Sequence, residues 1–132
     1  KMSKSYGNFI DIFLPEKELK KVVMGIVTDS TPLEEPKNPE TCNVFKLYQL
    51  LGSADQIESL RENYIKGGFG YGHAKTALYE LILEKFGEQR KLFTELMNHP
   101  TKLEEELSIG EAKAKKIADD KLSVVRKELG FA

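Results

Sequence analysis

Apolar residues recur at helical spacing along most of the chain. Leu19, Val22, Val23 and Ile26 repeat every three or four positions, which predicts a helix over residues 16–27. Pro15 suits its start, because the first turn of a helix leaves that N–H unbonded anyway. Thr28, Asp29 and Ser30 end it. Residues 31–40 contain Pro32, Pro36 and Pro39 and predict a surface loop, since each proline lacks a donor and restricts its neighbour. Val44, Leu47, Tyr48 and Leu51 then share one face of a helix over residues 42–51, stopped by Gly52.

Ser53 and Gln56 make a capping-box pair at the start of a helix carrying Ile57, Leu60, Tyr64 and Ile65. Lys66, Gly67 and Gly68 close it. A long helix is predicted over residues 73–98, with a stripe formed by Ala74, Ala77, Leu78, Leu81, Ile82, Phe86, Phe93, Leu96 and Met97. Gly87 lies inside it as a bend or a tolerated glycine. After Pro100, two more capping patterns occur, Thr101 with Glu104 and Ser108 with Glu111. They predict one short helix and then a longer one to Leu129. On that last helix Ala114, Ile117, Ala118, Leu122, Val125 and Leu129 are expected to face inward, and Lys113, Lys116, Asp120 and Lys127 outward. Gly130 is a natural stop. These six segments, with no convincing strand pair and no internal repeat, predict an all-α fold, a small helix bundle over residues 15–132.

Composition adds bounds to this picture. The 132 residues suffice for one domain with a modest core. With 40% hydrophobic and 31% charged residues, the chain resembles ordinary globular proteins. The formal net charge of −1 excludes a strong overall field for a polyanion, so any nucleic-acid surface must be a local patch. A single cysteine, Cys42, excludes an internal disulfide, fits a reducing cytoplasm and reads as a lone buried thiol. No apolar run is long enough to span a membrane, and the polar N-terminus lacks the apolar region of a signal peptide. His73 and His99 lack a second ligand at metal spacing.

The sharpest chemical signal is Lys1-Met2-Ser3-Lys4-Ser5. Two ammonium groups three residues apart, among small hydroxyl residues, suit a triphosphate. They offset charge that builds on a departing pyrophosphate, while hydroxyls and main-chain N–H groups add hydrogen bonds. Gly7 and Asn8 provide a turn behind the loop. The glycine-rich residues 67–72 lack the Gly-Lys-Ser/Thr ending of a phosphate loop. They read as a turn between helices, with Phe69 and Tyr71 as packing residues.

The pentamer matches in all five positions the signature loop of class I aminoacyl-tRNA synthetases. Three further stretches resemble the tryptophanyl family in order and spacing. They are Val27-Thr28-Asp29-Ser30, then Asn43-Val44-Phe45-Lys46-Leu47-Tyr48, then Gly68-Phe69-Gly70-Tyr71-Gly72 with Lys75 after it. Two features depart from many members: Tyr6-Gly7 stands where Asp-Pro or a similar pair follows the loop, and the proline-rich loop is longer.

The resemblance implies ATP-dependent activation of tryptophan, with release of pyrophosphate, and then transfer to tRNA(Trp). It implies that Lys4 binds the ATP phosphates and stabilises developing charge, that Lys1 assists, and that Met2, Ser3 and Ser5 complete the ATP-binding loop, with Mg2+ sharing the task. It implies that residues 1–14 end a Rossmann-type catalytic domain and that residues 15–132 form a tRNA-binding helical domain near the anticodon. Lys113, Lys115, Lys116, Lys121, Arg126 and Lys127 are candidates for the tRNA backbone, although Glu111, Asp119, Asp120 and Glu128 are interleaved. The family is typically a cytoplasmic homodimer. A chain opening on Lys1 reads as cut from a longer protein whose upstream ATP motif and amino-acid pocket lie elsewhere, so it is expected to be inactive alone. The other readings are a methionyl or cysteinyl synthetase and a non-catalytic helical interaction module.

Overall fold

A computed structural model of the chain describes residues 3–131, with Lys4 described by its backbone alone. The described residues form a short 3-10 turn at Lys4–Tyr6 and five helices: α1 (Glu16–Met24), α2 (Asn43–Leu51), α3 (Ala54–Lys66), α4 (Tyr71–Asn98) and α5 (Pro100–Glu128). No strand occurs among them, so the expected all-α class holds. The chain divides into two compact units, the first ending at Arg90 and the second beginning at Lys91.

In the first unit, Pro15 opens α1 as expected, its carbonyl accepting from the N–H groups of Glu18 and Leu19, both at 2.9 Å. Glu16 and Glu18 sit in the first turn, where acidic groups complement the helix dipole. The helix stops at Met24 rather than at residue 27. Gly25 disfavours continuation, and its N–H folds back onto the carbonyls of Lys21 and Val22. The capping box of α3 is present in both directions: Gln56 N–H donates to Ser53 Oγ at 3.3 Å, and Ser53 N–H to Gln56 Oε1 at 2.9 Å. Gly67 and Gly68 adopt φ of 77° and 72°, a left-handed turn that other residues resist. A Cβ on Gly67 would stand 2.5 Å from the Glu34 carbonyl oxygen.

Leu19 and Val23 from α1, Val44 and Phe45 from α2, Tyr64 from α3, and Ala74 and Leu78 from α4 are fully buried together. Ile10, Ile12, Leu14 and Ile26 pack on this cluster from outside the helices. Burying each large side chain contributes on the order of 1.5–3 kcal/mol.

The second unit departs from expectation. Residues 100–128 form one helix, not a short and a long one. Thr101 and Ser108 both lie inside it. Their capping patterns are surrounded by good helix formers with no breaker between them, so propagation wins over a new start. The predicted inward face is also corrected: α5 has no buried residue, and Ile117 is 72% exposed. On α4, Phe93 and Met97 are likewise exposed, and the helix runs through Gly87 without interruption. The stop after α5 is as expected. Gly130 has φ 77°, its N–H bonds Lys127 O, and Phe131 N–H bonds Arg126 O at 2.8 Å. Together these bonds form a Schellman cap.

Candidate functional site

Of the five residues expected to hold ATP, Lys1 and Met2 lie outside the described residues, and the position of Lys4 is known only by its backbone. The remaining loop folds on itself. Ser3 N–H donates to Asn8 Oδ1 at 2.9 Å, Tyr6 N–H to Ser3 O at 3.2 Å, and the Ser3 and Ser5 hydroxyls lie 2.9 Å apart. Gly7 supplies the turn at φ 61°. Residues 5–8 are exposed, so the loop offers hydroxyls and N–H groups to solvent or to a ligand.

Behind the loop, residues 8–15 adopt no helix or strand. Their carbonyls therefore need donors from elsewhere. Arg90, on α4, supplies two: its guanidinium donates to Ile12 O and, at 2.9 Å, to Leu14 O. Nothing in the local sequence marks this contact, because its partners stand 78 and 76 positions apart.

The three stretches that carried the family resemblance meet in the first unit. Tyr71 donates its hydroxyl to Asp29 Oδ1 at 2.7 Å, and Thr31 N–H donates to the same oxygen at 3.0 Å. The Thr31 side chain, and then Tyr71, hold the Asp29 carboxyl below the usual carboxylate range. Burial, reinforced by Asp29, pushes the Tyr71 phenol up to about 12. Lys75 donates to Met24 O at 3.1 Å, tying α4 to the end of α1. Tyr71 and Phe69 both contact the ring of Tyr64, as packing residues. Cys42 Sγ lies 3.4 Å from Tyr64 Oη in the same seam. Burial is the main reason the Tyr64 phenol is raised far above its ordinary value.

Lys37 went unnoticed as a sequence feature. It is 4% exposed, and its ammonium donates to the carbonyls of Pro32, Leu33 and Glu35 at 2.8, 3.3 and 3.0 Å. It also lies over the Tyr71 ring, 5.4 Å from its centroid. The proline-rich loop thus wraps a buried cation. Arg61 adds a second tie by pairing with Glu40.

Hollows in the surface of this unit include two that bear on ligand binding. One, of about 530 Å3, is lined by apolar Tyr48, Leu60, Phe69 and Ala77 and by polar groups that include Asp55, Asn63, His73 and Glu80. Its lining holds two carboxylates and no lysine or arginine, which does not suit a polyphosphate. The other, of about 360 Å3, is bounded by residues 27–29 and 41–43 at the start of α2. No cluster of three or more His, Cys, Asp or Glu among the described residues is able to hold a metal. His73 instead packs on Phe69. In the second unit, the basic candidates of α5 are all exposed, and Lys115 pairs with Asp119 at 3.1 Å. No helix of the described residues is long and apolar enough to cross a membrane.

No family model matches the chain. Known proteins do. The chain is 48% identical over 131 residues to a tryptophan–tRNA ligase of Campylobacter jejuni, covering 99% of this chain and 41% of that protein. It is 46% identical to the tryptophan–tRNA ligase of Fusobacterium nucleatum, covering 99% of this chain and 40% of the relative. A crystal structure of tryptophanyl-tRNA synthetase from Campylobacter jejuni, complexed with ADP and tryptophan, superposes with a TM-score of 0.93 over 98% of this chain and 41% of that one. The chain spans about two fifths of the length of these relatives.

Proposed function

We propose that the chain belongs to the tryptophanyl-tRNA synthetase family, as a C-terminal part of its members, and serves in a tryptophan–tRNA ligase. In that reading the full enzyme activates tryptophan with ATP, releases pyrophosphate and transfers the amino acid to tRNA(Trp). The observation that carries it is the 48% identity over nearly the whole chain to a protein of that name. The bound ADP and tryptophan of the superposing structure support ATP and tryptophan as substrates.

Residues 1–14 end the catalytic domain in this reading, and residues 15–132 are the helical tRNA-binding domain. Lys4 stabilises charge developing on the phosphates and Lys1 assists, with Met2, Ser3 and Ser5 completing the ATP loop. The self-closed turn of Ser3 to Asn8 supports that role, because it holds the Ser3 and Ser5 hydroxyls 2.9 Å apart beside an exposed stretch. Mg2+ accompanies the nucleotide as part of the ATP complex and supplies Lewis-acid stabilisation of the phosphates. The exposed lysines of α5 meet the tRNA backbone. The full enzyme works as a homodimer in the cytoplasm.

The test is amino-acid-dependent ATP–pyrophosphate exchange by the full-length enzyme carrying this chain. Exchange with tryptophan alone is expected. Exchange with methionine or cysteine instead would overturn the substrate. Lys4→Ala is expected to lower the exchange rate by about 100-fold to 1000-fold, the usual consequence of removing one group aimed at transition-state charge. The chain alone is expected to show no exchange.

A further inference from the structure

We propose that Arg90 is a positioning residue for the signature loop, fixing the direction of the segment behind it. The proposal rests on the reading of residues 1–5 as the ATP-phosphate loop.

The N-terminal stretch has two mechanical parts. Residues 5–8 are exposed, and the bond from Ser3 N–H to Asn8 ties the two ends of the loop to each other. Ile10, Ile12 and Leu14 are half-buried against the core. Between them the backbone passes from exposed to half-buried. Apolar packing alone sets the depth of such a segment but does little to fix its direction, because it is non-directional. Direction comes from hydrogen bonds, and those at Ile12 and Leu14 come from Arg90.

The chemistry suits arginine. A guanidinium is planar and presents two N–H groups in a fixed fork, so one side chain holds two carbonyls at a defined angle. An ammonium is a point donor and reaches such a pair with less constraint. The mount is also rigid, since α4 buries Ala74, Leu78, Leu81 and Ile82 in the core. A site is as well placed as the element that supports it. With that direction fixed, the segment behind the loop presents it at a defined angle. Without Arg90, residues 10–14 lose that direction, and productive placement of the loop against the phosphates becomes rarer. Small misplacements of reacting groups are costly, on the order of 100-fold per ångström in unfavourable cases.

The experiment compares wild type, Arg90→Met and Arg90→Lys in the full-length enzyme, by tryptophan-dependent pyrophosphate exchange well below each protein's melting temperature. For Arg90→Met, kcat is expected to fall about tenfold with a raised KM for ATP and an unchanged KM for tryptophan. Arg90→Lys is expected to recover part of the loss. Amide hydrogen exchange on the same proteins is expected to quicken at residues 3–14 and to stay unchanged in α2 and α3. Wild-type kinetics in folded Arg90→Met would overturn the proposal. So would a loss shared by both KM values with protection falling throughout the first unit, which is the signature of general destabilisation. Should Arg90→Met not fold, Arg90→Lys decides, since wild-type values there would overturn the need for a fork. A wild type with no exchange on any amino acid would instead refute the synthetase reading, and the hydrogen exchange would still report whether Arg90 holds the segment behind the loop.

Discussion

The proline-rich loop between α1 and α2 and the helix α5 invert the usual association of regular structure with burial. The loop has no helix or strand, yet it closes around Lys37, whose ammonium serves three carbonyls, and it is braced by the Asp29–Tyr71 bond. The helix α5 has 29 residues and a well-formed cap, yet none of its side chains is buried. A helix satisfies its own backbone, so it can persist at the surface. A loop cannot, and must draw donors from side chains or water. Irregular backbone is therefore where single polar residues carry the most structural weight.

That contrast yields tests of decreasing size. Lys37→Met removes the donor for three carbonyls while keeping most of the apolar stem. It is expected to cost about 2 kcal/mol, read from the midpoint of urea unfolding at unchanged slope. An unchanged midpoint would mean that water replaces the ammonium at little cost.

The Asp29–Tyr71 bond sets the next test, by pH. The Tyr71 phenol is raised to about 12 in the folded chain, against an ordinary value near 10. Its contribution to stability is thus fully present below about pH 10 and is lost as the pH climbs towards 12. The Asp29 carboxyl is lowered, so its share is present above its ordinary value near 4 and is lost on acidification below that. Tyr71→Phe is expected to remove the first effect and weaken the second, as followed by melting temperature across pH.

The smallest effect is expected in α5. Ile117→Ala should change stability by less than about 0.5 kcal/mol, because the side chain is 72% exposed and alanine favours the helix. A loss of about 2 kcal/mol or more would show that this face is covered in solution.

Much of the first unit was legible because its signals are local. The Ser53–Gln56 pair acts over one helical turn, and both halves of the box are present. The glycine-rich residues 67–72 read as a turn between helices, and Gly67 and Gly68 make that turn at positive φ. The family motifs were legible for the same reason, as short strings with fixed residues. Local patterns failed where two outcomes share one signal. Thr101 with Glu104 resembles a helix start, but so does the interior of a helix that happens to hold those residues. Periodicity in α5 marked an apolar stripe correctly but carried no information on whether anything packs there. The long-range ties were invisible for a different reason. Lys37, Arg90 and the Asp29–Tyr71 bond depend on which chain segments become neighbours, and nothing about a lysine in a proline-rich stretch says that its ammonium will turn inward.

The seam between Cys42 and Tyr64 has a practical consequence. The chain holds one sulfhydryl, and it is 6% exposed beside the Tyr64 hydroxyl. A thiol-reactive dye is expected to react with it slowly, as the segment before α2 parts from Tyr64, and no second sulfhydryl in the chain contributes background. Labelling at this single atom therefore works as a clock on local opening, with its rate counting how often the unit breathes.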